Sequence, residues 1–100
     1  MVDLRVSVEA RRDFREIKDR GVREFGPERA REHLAGFGRL FRLLRDQPFA
    51  GQERPDIEAG VRSLSHRPHR ILYEIESDIV VILRIIHQAR DVRRAFEGEQ

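Results

Sequence analysis

The chain has no cysteine, which removes disulfide scaffolds, thiolate metal sites and thiol nucleophiles together. Lysine is nearly absent as well: Lys18 is the only one, so the other side-chain cations, histidine aside, are arginines. A GC-rich coding sequence produces that bias. It also favours side chains suited to bidentate contact with carboxylate or phosphate. No stretch approaches the ~18 consecutive apolar residues of a membrane span, and Met1-Val2-Asp3 does not open a cationic region followed by an apolar one. Neither export nor membrane insertion is expected, and a cytoplasmic location is. The chain offers no glycine-rich phosphate loop, no nucleophile elbow and no paired catalytic carboxylates, and no cofactor is expected.

What is present is one domain's worth of core. One hundred residues with 39% hydrophobic content are expected to form a single domain over residues 1–100. Twenty basic residues face eighteen acidic ones, so the net charge is only +2, and the pI of 9.9 reflects arginine's high pKa. That is not the profile of a generic nucleic-acid binder.

Val2, Leu4, Val6 and Val8 alternate with polar residues, predicting a strand buried on one face. From Ala10 the period becomes helical, with Phe14, Ile17, Gly21/Val22 and Phe25 on one side and an end near Gly26. Gly26-Pro27 then permits only an antiparallel helical hairpin. The second helix carries Ala30, Leu34, Phe37, Phe41 and Leu44 as an apolar seam, widened by Leu40 and Leu43. Residues 46–60, punctuated by Pro48, Gly51, Pro55 and Gly60, read as an irregular connection.

Three strands follow, near Val61 to Ser65, from His69 to Glu76 and from Ile79 to His87, forming an antiparallel meander. The last is almost wholly apolar and should be covered on both faces. Arg90 to Phe96, with Val92 and Phe96 four apart, predicts one or two helical turns packed on the sheet. The class is α+β.

Gly60-Val61-Arg62-Ser63-Leu64, His69-Arg70-Ile71-Leu72-Tyr73-Glu74-Ile75 and the ending Val80 to Asp91, with its hydrophobic strand, Arg84, His87 and Arg90-Asp91, resemble the ParE-type toxins of the RelE/ParE superfamily. Ala10 with Asp13-Phe14 and Ile17, and Gln47-Pro48-Phe49-Ala50-Gly51, are similar to family patterns too. The resemblance implies a bacterial toxin of a type II toxin–antitoxin pair. Its target in the ParE branch is DNA gyrase, and its partner is a ParD-like antitoxin that touches DNA on behalf of the complex. The RelE branch implies instead the cleavage of ribosome-bound messenger RNA.

On the gyrase reading the protein is a binder rather than a catalyst, with Arg84, Arg90, Arg93 and Arg94 as the target-binding set. Arg90, Arg93 and Arg94 share one face if the tail is helical. The cleavage alternative draws its acid/base and cationic groups from Arg62, Arg84, His87 and Arg90, which are expected to meet at one end of the sheet. Arg84 and His87 are an odd number of residues apart, so an unbent strand points them to opposite faces. The tail has Phe96 where RNA-cleaving relatives carry a tyrosine or another polar group. Tyr73 falls mid-strand and reads as a core residue with its hydroxyl at the rim.

Phe37, Leu40, Phe41, Leu43 and Leu44 exceed the stripe of roughly 100° that core packing needs, and are the expected antitoxin-binding set. His66 and His69 flank Pro68 without an obvious third ligand, so no metal site is expected. His33 reads as an exposed or boundary residue.

Overall fold

The opening alternation becomes a short strand, because a helix cap interrupts it. In the computed structural model, which describes residues 1–98, β1 covers Asp3–Val6 and α1 already begins at Val8, running to Phe25. Ser7 is the cause: its side-chain oxygen accepts the Ala10 N–H at 2.9 Å, satisfying one of the first-turn donors that a helix leaves unpaired. The expected strand therefore loses Val8, which is exposed on the first turn of α1.

A single residue, Gly26 with φ 88°, closes α1 and opens α2, Pro27–Asp46. That positive φ suits glycine, and Pro27 takes the first helical position, where its missing N–H costs nothing. Phe14 meets Phe37 edge-on with centroids 5.5 Å apart. A Cβ on Gly21 would lie 3.4 Å from that of Ala30. The two pairs straddle Gly26 evenly, which is the signature of antiparallel helices.

The second half supplies β2 (Gln52–Glu53), β3 (Arg62–His66), β4 (His69–Glu76), β5 (Ile79–His87) and α3 (Val92–Phe96). The sheet order is β1-β5-β4-β3-β2. β1 runs parallel to β5, and the other pairings are antiparallel. β2 was not anticipated in the irregular connection.

The hairpin covers one face: Ala10, Phe37 and Leu44 pack with Ile71, Tyr73, Val80, Ile82 and Ile85. On the other face Ala95, Val92 and Phe96 of α3, with Ile57 and Val61, cover Leu72, Leu83 and Ile86. Among the described residues no helix is long and apolar enough to cross a membrane.

One irregularity organises the sheet. Tyr73 pairs with Ile82 but Leu72 with Arg84, so Leu83 is an extra residue on β5. Such a bulge reverses the facing of everything after it. Ile82 and Ile85, three apart, thus both face the hairpin, while Ile86 faces α3.

β1 ends where the bulge begins, so its neighbour's backbone needs other partners. Ser7 N–H donates to Ile82 O at 2.9 Å, and its hydroxyl to Leu83 O at 2.8 Å. Asp13 Oδ2 accepts the Ile85 N–H at 2.9 Å.

The loop after α2 is fixed by Tyr73, which is fully buried. Its hydroxyl donates to Pro48 O at 2.8 Å and accepts the Gly51 N–H at 2.7 Å. A Cβ on Gly51 would lie 2.5 Å from that hydroxyl and 2.8 Å from Ser63 O, so the close approach requires glycine. Burial raises the Tyr73 pKa above its ordinary value, keeping the phenol protonated and able to donate.

Two stability measurements check these assignments. Asp13→Ala strands the Arg84 guanidinium and the Ile85 N–H, and is expected to cost about 3–5 kcal/mol in denaturant unfolding, the range for breaking a buried ion pair from one side. Tyr73→Phe keeps the ring and removes both loop hydrogen bonds. It is expected to cost about 1–3 kcal/mol and to loosen residues 48–51 first, visible as faster amide exchange at Gly51.

Candidate functional site

Arg84 stands at the bulge and is already engaged. Its Nε and Nη2 donate to the two carboxylate oxygens of Asp13 at 2.7 and 3.0 Å, and its Nη1 donates to Ala95 O at 2.9 Å. Asp13 is only 8% exposed. The hydrogen bond to Asp13 raises the Arg84 pKa above its already high ordinary value. The side chain therefore joins α1, β5 and α3 internally rather than forming part of an open target-binding face.

The rest of the basic segment lies outside. Arg90, Arg93 and Arg94 are exposed. Asp91 caps α3, its side chain accepting the Arg94 N–H at 3.2 Å. Arg90 thus precedes the helix and does not continue its face, and α3 itself carries Arg93 and Arg94. Arg93 Nε lies 3.2 Å from Glu97 Oε1, an exposed pair worth little energetically.

Arg62, Arg84, His87 and Arg90 do not gather at one end. Arg62 pairs with Tyr73, which pairs with Ile82, whereas His87 lies level with His69. Arg62 is occupied with the loop after α2: it donates to Gly51 O at 2.8 Å and to Glu53 at 3.2 Å, and lies 5.0 Å from the centre of the Phe49 ring. Phe49 itself is 69% exposed. It borders an open depression of about 380 Å³ with Pro55, Ala59, Val61 and Ile75.

On α2 the expected antitoxin-binding set divides. Phe37 and Leu44 are fully buried, and Leu40 and Phe41 pack partly against the same core. Leu43, at 39%, is the one that opens substantially to solvent. The width of the apolar face is thus largely used by the core, where Phe37 meets the rings of Phe14, Phe41 and His66 at once. Conversely Val22 and Phe25, expected on the buried side of α1, are exposed. They lie in the turns that follow the Gly21–Ala30 contact.

All four histidines of the chain collect in one corner, which their sequence spacing conceals. His33 of α2 stacks on His66 with centroids 4.3 Å apart, and His33 Nε2 lies 3.0 Å from His69 Nδ1. His87 meets His69 edge-on at 5.4 Å. His66 Nε2 donates to His33 O at 2.8 Å. The His66 ring occupies a notch left by Gly36, where a Cβ would lie 2.2 Å from it. Burial lowers the His69 pKa to about 4, with His33, His87, His66 and Arg20 adding to the shift. His33 is lowered by burial and then by His66.

The fold has known counterparts. The sequence model of the family described as "ParE toxin of type II toxin-antitoxin system, parDE" matches residues 4–92. Toxin ParE3 of Caulobacter vibrioides is 32% identical over 81 residues, covering 81% of this chain and 77% of that protein. Among solved structures, the chromosomal ParDE system of P. aeruginosa superimposes with a TM-score of 0.76 at 27% identity, covering 87% of this chain and 96% of the other. The RelBE2 toxin–antitoxin complex of Mycobacterium tuberculosis gives 0.65 at 28% identity, over 86% and 96%. With a family match that runs from the first strand to the start of the last helix, the chain belongs to the ParE toxin family of type II toxin–antitoxin systems.

Proposed function

We propose that the protein inhibits DNA gyrase by protein contact and is neutralised by a ParD-like antitoxin, both in the cytoplasm. The observation that carries the non-catalytic reading is the engagement of Arg84 with Asp13 and Ala95, together with the separation of Arg62 from His87 along the sheet. Acid–base cleavage needs such groups to converge within hydrogen-bond reach of one phosphate. The target contact falls instead to Arg90, Arg93 and Arg94, exposed guanidinium groups suited to an acidic protein surface. The antitoxin lies across α2 at Leu43, with the half-buried Leu40 and Phe41 beside it, and DNA is reached only through the antitoxin.

A second reading, cleavage of messenger RNA on the ribosome, is favoured by one specific feature, the placement of His87 against His69. The likeness to the RelBE2 complex is compatible with it. A gyrase supercoiling assay run beside a translation reaction with primer-extension readout separates the two. Loss of supercoiling with intact messenger is expected, and codon-positioned cuts would replace the gyrase reading with the nuclease one. Arg90→Ala with Arg94→Ala is expected to restore growth and supercoiling by more than any change in Tm accounts for. His87→Ala is expected to reduce toxicity only as far as it lowers Tm.

The antitoxin surface has its own test. Leu43→Glu is expected to weaken antitoxin binding by at least about tenfold with little change in Tm. Leu40→Glu, placed against the core, is expected to lower both. Isothermal titration beside thermal melting reads each effect, and unchanged affinity for Leu43→Glu would move the antitoxin elsewhere.

A further inference from the structure

We infer that the four histidines form a pH-sensitive latch, which holds the first half of α2 to the turn end of the sheet when neutral and releases it on acidification. The geometry is that of a joint between elements distant in sequence. His33 comes from α2, His66 from the end of β3, His69 from the start of β4 and His87 from the end of β5. Phe37, one turn after His33, sets its ring edge on His66 with centroids 4.6 Å apart and near His69 at 5.9 Å. The latch is therefore continuous with the core.

The chemistry of the joint does not allow a proton on both rings. Between His33 Nε2 and His69 Nδ1, 3.0 Å apart, one nitrogen must donate and the other accept. A first proton taken up by the pair is accommodated if the rings exchange donor and acceptor roles. A second leaves two N–H groups facing each other, and the bond cannot persist.

The groups acting on His69 from the packed elements are Arg20 on α1, His33 on α2, His66 on β3 and His87 on β5. All four disfavour a positive charge on His69, so a proton there is opposed from every side. His66, stacked on His33 at 4.3 Å, disfavours a positive charge on His33 in the same way.

The direction of the pH response follows from linkage. His69 in the closed latch titrates at about 4, against an ordinary value of 6.5 once released. The open form therefore binds more protons between those values. The latch keeps its full stability above about pH 6.5, loses it as the pH falls towards 4, and gains no further sensitivity below that from this residue. From His69 alone the opening equilibrium rises about thirtyfold between pH 7.5 and 5, and the lowered His33 acts in the same direction.

The test is native-state hydrogen exchange on the full chain at pH 7.5 and 5.0, with rates corrected to protection factors. Protection of the α2 amides from His33 to Phe37 is expected to drop about thirtyfold, while Val80 and Ile82 in β5 keep theirs. In His69→Phe, which retains a ring of similar size without a titrating group, the drop is expected to shrink below about threefold. His69→Gln serves the same purpose if that variant folds poorly. Equal protection of α2 at both pH values would overturn the latch, as would a uniform loss that includes β5. An undiminished pH response in the folded variant would overturn it too. None of these outcomes bears on the gyrase reading, because none measures activity.

Discussion

The pairing of Asp13 with Arg84 is the interaction on which the rest of the fold depends, because it ties α1, β5 and α3 together by hydrogen bonds at the point where β1 stops. β1 is stopped after four residues by the Ser7 cap, and beyond that point β5 has an open edge in the middle of the protein. An open edge presents unpaired backbone groups, which are costly when buried. The Asp13 carboxylate meets both needs at once, accepting the Ile85 N–H and both arms of the guanidinium. The third arm reaches Ala95 and secures α3 on the opposite face. A lysine could not make that set of contacts, since it offers a point charge rather than a fork. In this position arginine has a structural reason that the composition of the chain does not reveal.

The periodic elements were legible because their burial is one-sided or complete. The strands at His69–Glu76 and Ile79–His87 have the bounds that alternation and the turn between them imply. Both long helices follow their apolar spacing to within a turn. What escaped was decided by single partners. β2 is two exposed residues, Gln52 and Glu53, with no pattern of their own. They are brought to β3 by a loop that Tyr73 and Arg62 hold from outside it. Val8 continued the alternation of the first strand, yet a hydroxyl one residue earlier turned it into a helix.

The functional surfaces were less legible than the core, and the reason is physical. An apolar side chain on a helix reads the same whether sheet or partner covers it, and only the tertiary arrangement tells Phe37 and Leu44, both sealed, from Leu43, which is open. The same ambiguity placed Val22 and Phe25 inside when they lie outside. Charged residues carry a similar uncertainty. Arg84 and Arg90 belong to one continuous motif in the sequence, but a nearby carboxylate takes the first inward while the second stays exposed.

The histidine corner shows how one extra residue changes what a sequence can express. Glu76 pairs with Ile79 across a two-residue turn, and an uninterrupted ladder from there would set His69 against Ile86, leaving His87 on the α3 side. The bulge at Leu83 shifts the register by one, so that His69 meets His87 instead and His87 turns to the hairpin side with it. The same shift turns Arg84 towards α3, where Ala95 receives it. Nothing in Ile82-Leu83-Arg84-Ile85 announces the insertion, since apolar residues occupy both faces of this strand. A strand buried on two sides tolerates such a shift without exposing its core. That tolerance lets the bulge that frames the Asp13–Arg84 pair also bring His87 into the histidine corner.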